Sequence, residues 1–351
     1  MTHGAHPIVI RGQTALRATR WERRVHGCLT WDAVDADEQE RVFRQATCLA
    51  SFIDFEELGR LGILQDDEVL EIAVSPGAKR NRCARVSVRH ITHLGHDAIM
   101  RIRANIYILS PVALVLDLAR EHTLSEMLAL IEELTGNWSL PERNSEDNKE
   151  DPDIDFIDKQ CGYYESEPAT TIDDLTEYHS QSARTAGRKA AQTAIMYATG
   201  SSRSPMEAIV YAMFSLPHML GGLNCGPIKP NFKIAMQGNA EKLSGLPYVV
   251  ADAYLPSFNS ILEYNGSYHD ESSVRRRDEA RTLGLMCIGI DVYRLNDLQL
   301  NDSGDLESVA RIIYRRNGLT YRPRAKQYDK RLPLLLKELR RALGLDDHGA
   351  S

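Results

Sequence analysis

The sequence predicts an α/β protein with an α+β first lobe and a second lobe built on a mixed sheet flanked by helices. Three observations carry this. The chain has 351 residues, 43% apolar and 26% charged, which fits two or three globular domains and excludes a wholly disordered chain, a collagen or a coiled-coil rod. Segments that alternate with period two are interleaved with segments of helical spacing. From residue 204 their order reads α-β-β-β-α-β-α, which predicts a mixed sheet covered by helices.

In the first lobe, residues 30–60 read as two helices. Thr30 to Arg44 opens on Thr and Asp, residues that favour a helix N-terminus, and Ile53 to Leu61 follows. The period then changes. Val69 to Val74 reads as a strand, closed by the turn cluster Ser75-Pro76-Gly77. Ala84 to His90 alternates, so it reads as a half-buried strand presenting Arg85 and Arg89. Ile102 to Leu109 reads as a third strand. Ser110-Pro111 opens a helix through Leu118, and Leu124 to Leu134 forms another ending near Gly136.

The net charge of −7 argues against a nucleic-acid binder only while the charge is taken as evenly spread. Residues 142–177 hold thirteen acids and three bases, a local net of −10. Residues 200–343 hold 20 Lys/Arg and 15 Asp/Glu, a net of +5. The acidic stretch has few apolar residues and holds Pro152 and Pro168, with Pro141 just ahead of it, so it reads as a solvated linker. The alternative is a mimic of phosphate backbone that covers the basic lobe. The expected organisation is a lobe at 1–140, a linker at 141–178 and a second lobe at 179–345.

In the second lobe, His179 to Ala198 reads as a helix, broken at Gly200. Ser204-Pro205-Met206-Glu207 reads as an N-cap, proline at the first helical position and an acid in the first turn, opening a helix to about Leu216. Asn231 to Met236 and Tyr248 to Tyr254 read as strands. Ser260 to Asn265 is the hairpin partner of the latter, closed by Ser257-Phe258-Asn259. Val274 to Leu283 reads as a helix ending at Gly284, Met286 to Tyr293 as a strand and Ser308 to Arg315 as a helix.

Three acids fall within these elements: Glu207, Asp252 and Glu263. Across the hairpin, Asp252 and Glu263 are placed to lie side by side. Two carboxylates that close repel unless a cation separates them, and Mg²⁺ is typically held by one or two carboxylates plus a phosphate. Asn265 follows on the same side as Glu263, and His269 is a candidate general acid or base. The bland alternative is an edge hairpin with solvated acids and a helix-capping Glu207. Asp252 fits it least, because it interrupts an apolar run and a buried unpaired carboxylate is costly.

Six cysteines are spread singly with no CxxC pair, so a structural zinc site is not expected. No stretch of about 18 apolar residues predicts a membrane span. No signal-peptide pattern opens the sequence, so a cytoplasmic protein is expected. No Gly-rich phosphate loop predicts ATP dependence.

The run Asp252-x10-Glu263-x-Asn265-Gly266-x-x-His269, preceded by Ser204-Pro205-Met206-Glu207 and followed by Asp278, Arg281 and Arg294, resembles the PD-(D/E)XK nuclease superfamily. It is most similar to the bacterial endonuclease-domain branch related to very-short-patch repair endonucleases. The resemblance covers about residues 200–300. It implies a restriction-endonuclease-like core, with Glu207, Asp252 and Glu263 holding Mg²⁺ (or Mn²⁺). Asn265 and His269 would sit around the phosphate, and Arg275, Arg276, Arg277 and Arg281 would contact the DNA backbone. The superfamily's lysine position is Asn265 here, so orientation of the attacking water falls to another group or to the metal. The stretch from Val69 to Ala119 resembles the region ahead of such domains in proteins similar to AbiEi-type antitoxin regulators. The resemblances imply a DNA endonuclease in phage defence or repair. The rivals are a non-catalytic DNA-binding regulator of the antitoxin type and an interaction module with a toxin or defence-system partner.

Overall fold

The computed structural model describes residues 6–65, 67–78, 83–141, 162–182, 186–265 and 272–345, with the side chains of 272–276 excepted. The chain divides into two compact units, Met1–Met196 and Tyr197–Ser351.

The first unit opens with β1 (Ile8–Ile10), α1 (Gly12–His26), β2 (Asp32–Ala33), α2 (Ala36–Gln45) and α3 (Phe55–Arg60). It continues with β3 (Leu70–Val74), β4 (Val86–His90), β5 (Ile99–Arg103), β6 (Ile106–Leu109), α4 (Pro111–Leu118) and α5 (Leu124–Thr135). It ends with β7 (Trp138–Ser139), β8 (Tyr164–Glu165), α6 (Ile172–Gln181) and α7 (Arg188–Tyr197). Six strands form a mixed sheet in the order β2-β5-β6-β1-β3-β4, and β7 pairs with β8.

Several expectations change here. The strand expected over 102–109 is a hairpin, β5 and β6, because Asn105 takes a left-handed conformation (φ 64°) between them. Such a conformation favours Asn over most non-glycine residues. The helix expected from Thr30 starts at Ala36, after β2, on an Asp35 cap whose side chain accepts from the Glu38 N–H. Arg89 of β4 is ion-paired with Asp117 at 3.0 Å and also with Glu121, where an open basic face was expected. The helix expected over 179–198 is two helices, and the first begins at Ile172 on a Thr171 capping box.

The solvated-linker expectation fails for residues 162–178. They carry β8 and most of α6, with Tyr164 and Leu175 buried. The reason lies in α1. Arg23 is fully buried and donates to Ser166 Oγ at 2.8 Å and to the carbonyls of Glu133, Gly136, Trp138 and Glu167 at 2.9–3.1 Å. One guanidinium thus satisfies backbone acceptors that burial would otherwise leave costly. Residues 142–161 lie outside the described residues.

The second unit comprises α8 (Pro205–Ser215), β9 (Lys229–Ala235), α9 (Asn239–Ser244), β10 (Tyr248–Leu255), β11 (Ser260–Tyr264), α10 (Ser272–Cys287), β12 (Asp291–Leu295), α11 (Ser303–Arg316) and α12 (Tyr328–Ala342). The sheet order is β12-β11-β10-β9, with β11 and β12 parallel and the other pairs antiparallel. The expected mixed sheet with helices is therefore observed, with α9 and α12 as additions. Ile234, Met236, Ala240, Val249, Ala251, Ile261, Leu285 and Ile290 form one buried cluster.

Gly284 does not end α10, and β12 starts at Asp291, later than expected. A Cβ on Gly284 would stand 2.6 Å from Met236 Cε, 2.8 Å from Ser244 Cβ and 2.9 Å from the Ala240 carbonyl oxygen. The glycine serves close packing of α10 on α9, so its lack of a side chain matters more than its flexibility.

Among the described residues, no helix is long and apolar enough to cross a membrane.

Candidate functional site

The site is assembled by α8, β10 and β11. The start of α8 follows local chemistry. Ser204 Oγ accepts from the Glu207 N–H at 3.2 Å, and Pro205 occupies the first turn. Buried apolar residues on most sides of α8, including Ile209, Met213 and Phe214, sink the helix into the unit. The acid of its first turn therefore enters a low-dielectric setting.

The register of β10 on β11 pairs Leu255 with Ser260, Tyr254 with Ile261 and Ala253 with Leu262. One step further, Asp252 stands opposite Glu263. Burial raises the pKa of Asp252, and the Glu263 charge raises it further. Arg281, a backbone hydrogen bond from Tyr264 and Arg203 act in the opposite direction.

Glu263 is buried, 5% exposed. Arg281 of α10 is ion-paired with its Oε1, and Arg294, its register neighbour on β12, lies 3.7 Å from its Oε2. Each arginine has a second hold. Arg281 donates to the Val250 carbonyl at 3.1 Å and Arg294 to Thr282 Oγ1 at 2.8 Å.

Glu207 completes a row of three acids. Burial pushes its pKa up to about 7, with the Asp252 charge adding to the shift. Its Oε2 accepts from the Arg203 N–H at 2.9 Å and lies 3.1 Å from the Tyr211 hydroxyl. That hydroxyl donates to the Asp252 carbonyl at 2.9 Å. Glu207 is thus folded back onto its own helix start and tied through Tyr211 to the strand of Asp252.

The expected cage of three carboxylates is accordingly not formed. Among the described residues, no group of three or more His, Cys, Asp and Glu side chains could hold a metal ion. The donors that fit Mg²⁺ or Mn²⁺ are the adjacent pair Asp252 and Glu263, the one-or-two-carboxylate set such ions take with water and phosphate. Burial first and the Glu263 charge second raise the Asp252 pKa, and a cation beside both carboxylates would oppose that rise.

The other expected site residues divide as follows. Asn265 is exposed just past β11, and its N–H donates to the Leu295 carbonyl at 2.8 Å. Arg277 is exposed on α10. Arg281 is committed to Glu263 and Val250, where an open phosphate contact was expected. His269 and the side chains of Arg275 and Arg276 lie outside the described residues.

Two residues join the site that sequence reasoning passed over. Tyr211 is one turn beyond Glu207, the spacing at which helix side chains meet, so a signal existed. Asn231 takes a left-handed conformation (φ 47°) in β9, between the pairs Phe232–Ala251 and Pro230–Ala253 and so beside Asp252. Its Nδ2 donates to the Ser201 carbonyl at 2.8 Å, and its Oδ1 is buried without a hydrogen-bond partner.

Comparisons with protein-family models, curated proteins and solved structures returned no match for this chain.

Proposed function

We propose that the second unit is a restriction-endonuclease-like domain that hydrolyses phosphodiester bonds in DNA, with Asp252 and Glu263 holding Mg²⁺ or Mn²⁺. The observation that carries this reading is the juxtaposition of Asp252 and Glu263 on neighbouring strands, with burial and like charge raising the Asp252 pKa. A divalent cation bound there would lower the pKa of a water and offset charge at the phosphate. The chain's own residues would prepare that place. Tyr211 fixes the Asp252 strand against α8, and Arg281 and Arg294 hold the Glu263 carboxylate in place beside Asp252. The test is plasmid DNA incubated with Mg²⁺, Mn²⁺ or chelator, using the wild type and Glu263→Ala. Metal-dependent cleavage lost in Glu263→Ala supports the reading, and cleavage surviving that change places the chemistry elsewhere.

A second reading has its own observation. Both carboxylate oxygens of Glu263 already face an arginine, so its charge is met without a metal. That favours a DNA-binding regulator of the antitoxin type with the nuclease fold as scaffold. Plasmid left intact with both metals would favour it.

A further inference from the structure

Asp252 shares its face of β10 with a surface of a different kind. Exposure alternates along the strand, with Val249, Ala251 and Ala253 buried and Tyr248, Val250 and Asp252 more open. Tyr248 is 45% exposed and Val250 38%. β9 is an edge of the sheet, and its Ala235 and Lys233 face Tyr248 and Val250. The Lys233 ammonium lies 3.8 Å from the centre of the Tyr248 ring. Four residues back on the same edge strand, the Lys229 ammonium lies 5.1 Å from the Phe232 ring. Phe232 in turn stacks on Tyr254 at 4.7 Å, the rings 11° from parallel. Both lysines are exposed.

Lysines on an edge strand can serve only to discourage sheet-to-sheet pairing. That purpose needs charge alone. Here the Lys233 ammonium is held against an exposed ring, whereas Phe232, the register partner of Ala251, packs with Tyr254 against the buried cluster, so the edge presents cations and one open π face, that of Tyr248. These are the two components with which proteins hold single strands: point charges for phosphates and rings on which bases stack whatever their sequence. A strand rises roughly 3.3 Å per residue, so Tyr248 is roughly 13 Å along β10 from Asp252, a span of a few nucleotides. A duplex offers phosphates to the lysines but keeps its base faces stacked internally.

We infer that the β9–β10 edge is a platform for an unpaired nucleic-acid strand leading to the carboxylates, with a base stacked on Tyr248 and phosphates on Lys229 and Lys233. The inference rests on reading Asp252 and Glu263 as a phosphodiester site, and it gives that site a substrate with an unpaired segment.

The test is fluorescence anisotropy on the full chain in chelator, so that binding is read without cleavage. The probes are a labelled DNA strand of about 12 nucleotides, a length within the range of single-strand platforms, the RNA strand of the same sequence, an abasic strand and the duplex. The two intact single strands distinguish DNA from RNA as the source. The preferred intact strand binds more tightly than the duplex or the abasic strand. Tyr248→Ala weakens that binding about tenfold while Tyr248→Phe holds it. Lys229→Gln with Lys233→Gln lowers the slope of log affinity against log salt by about 1.4. Equal or tighter binding of the duplex or abasic strand overturns the inference, as does unchanged binding by both the Tyr248→Ala and lysine variants. Binding through this edge without metal-dependent cleavage would remove the phosphodiesterase and leave the platform. Cleavage with unchanged binding by the edge variants would do the reverse.

Discussion

Asp252 stands opposite Glu263 across the antiparallel pair of β10 and β11, one step beyond the pairing of Ala253 with Leu262. Glu263 has arginines at both of its oxygens, whereas burial and the Glu263 charge leave Asp252 with a raised pKa. The two acids are therefore unequal. One is neutralised by the fold, and the other is held at a cost that a cation would relieve. Asp252→Asn removes that cost. In chelator its thermal midpoint should rise, by about 0.5–2 kcal/mol of stability, the gain typical when a strained functional residue is replaced. A fall in the midpoint would show that the Asp252 charge is already compensated.

Glu207 gives a pH dependence with a definite sign. Its folded pKa of about 7 lies above the ordinary 4.5, so the folded chain binds a proton that the unfolded chain has released. The associated stability is complete below about pH 4.5 and is lost as pH rises to about 7. The shift corresponds to roughly 3 kcal/mol at most. Glu207→Gln should flatten that segment of the stability curve, measured by urea denaturation at a series of pH values without metal. A curve that keeps its slope would place the titration on another group.

Tyr211 is buried and its hydroxyl joins two elements. Tyr211→Phe keeps the ring and leaves the Asp252 carbonyl without this donor, which costs about 1 kcal/mol. The denaturation midpoint should fall by that amount while far-UV circular dichroism is unchanged. An unaltered midpoint would mean that water or another donor replaces the hydroxyl at no cost.

Removing Arg281 strips a buried carboxylate of one of its two cations. Arg281→Met should destabilise by on the order of 3 kcal/mol. Glu263→Gln added to it should recover part of the loss, because the uncompensated charge is then gone. A double-mutant cycle reads this coupling directly. Additive effects of the two changes would show that Arg281 acts through packing alone.

In the first unit, Arg23 holds four carbonyls and the Ser166 hydroxyl from a fully buried position, and burial lowers its pKa to about 10. Arg23→Met takes this donor from the carbonyls of Glu133, Gly136 and Trp138, while the Glu167 carbonyl keeps the Ser166 hydroxyl, a loss of roughly 3–5 kcal/mol. Limited proteolysis should then cut first within 162–178, the segment that Arg23 fastens. Resistance equal to the wild type would show that Tyr164 and Leu175 hold it unaided.

The parts of the second unit legible in the sequence are those set by short-range chemistry. Ser204, Pro205 and Glu207 form a helix start wherever they occur together. The apolar run from Tyr248 to Tyr254, broken only by Asp252, reads as a strand without reference to distant partners. What escaped depends on distant partners. Gly284 reads as a helix stop until Ala240 and Met236 are seen against it. Residues 162–178 read as solvated by their charge, and a guanidinium more than 140 positions earlier in the chain gives part of their backbone partners. Helix α1 carries four arginines and few apolar residues, so its apolar spacing is faint. The arginine pairing of Glu263 is of the same kind, since it needs α10 and β12 brought to one carboxylate.

The proposed function stands on Asp252 and Glu263 holding a divalent cation together. Calorimetric titration of Mn²⁺ into the chelator-stripped full chain tests it most directly, with Asp252→Asn and Glu263→Ala alongside. One saturable site in the wild type, lost in both variants, is the expected result. No binding by the wild type, or binding that both variants retain, would contradict it.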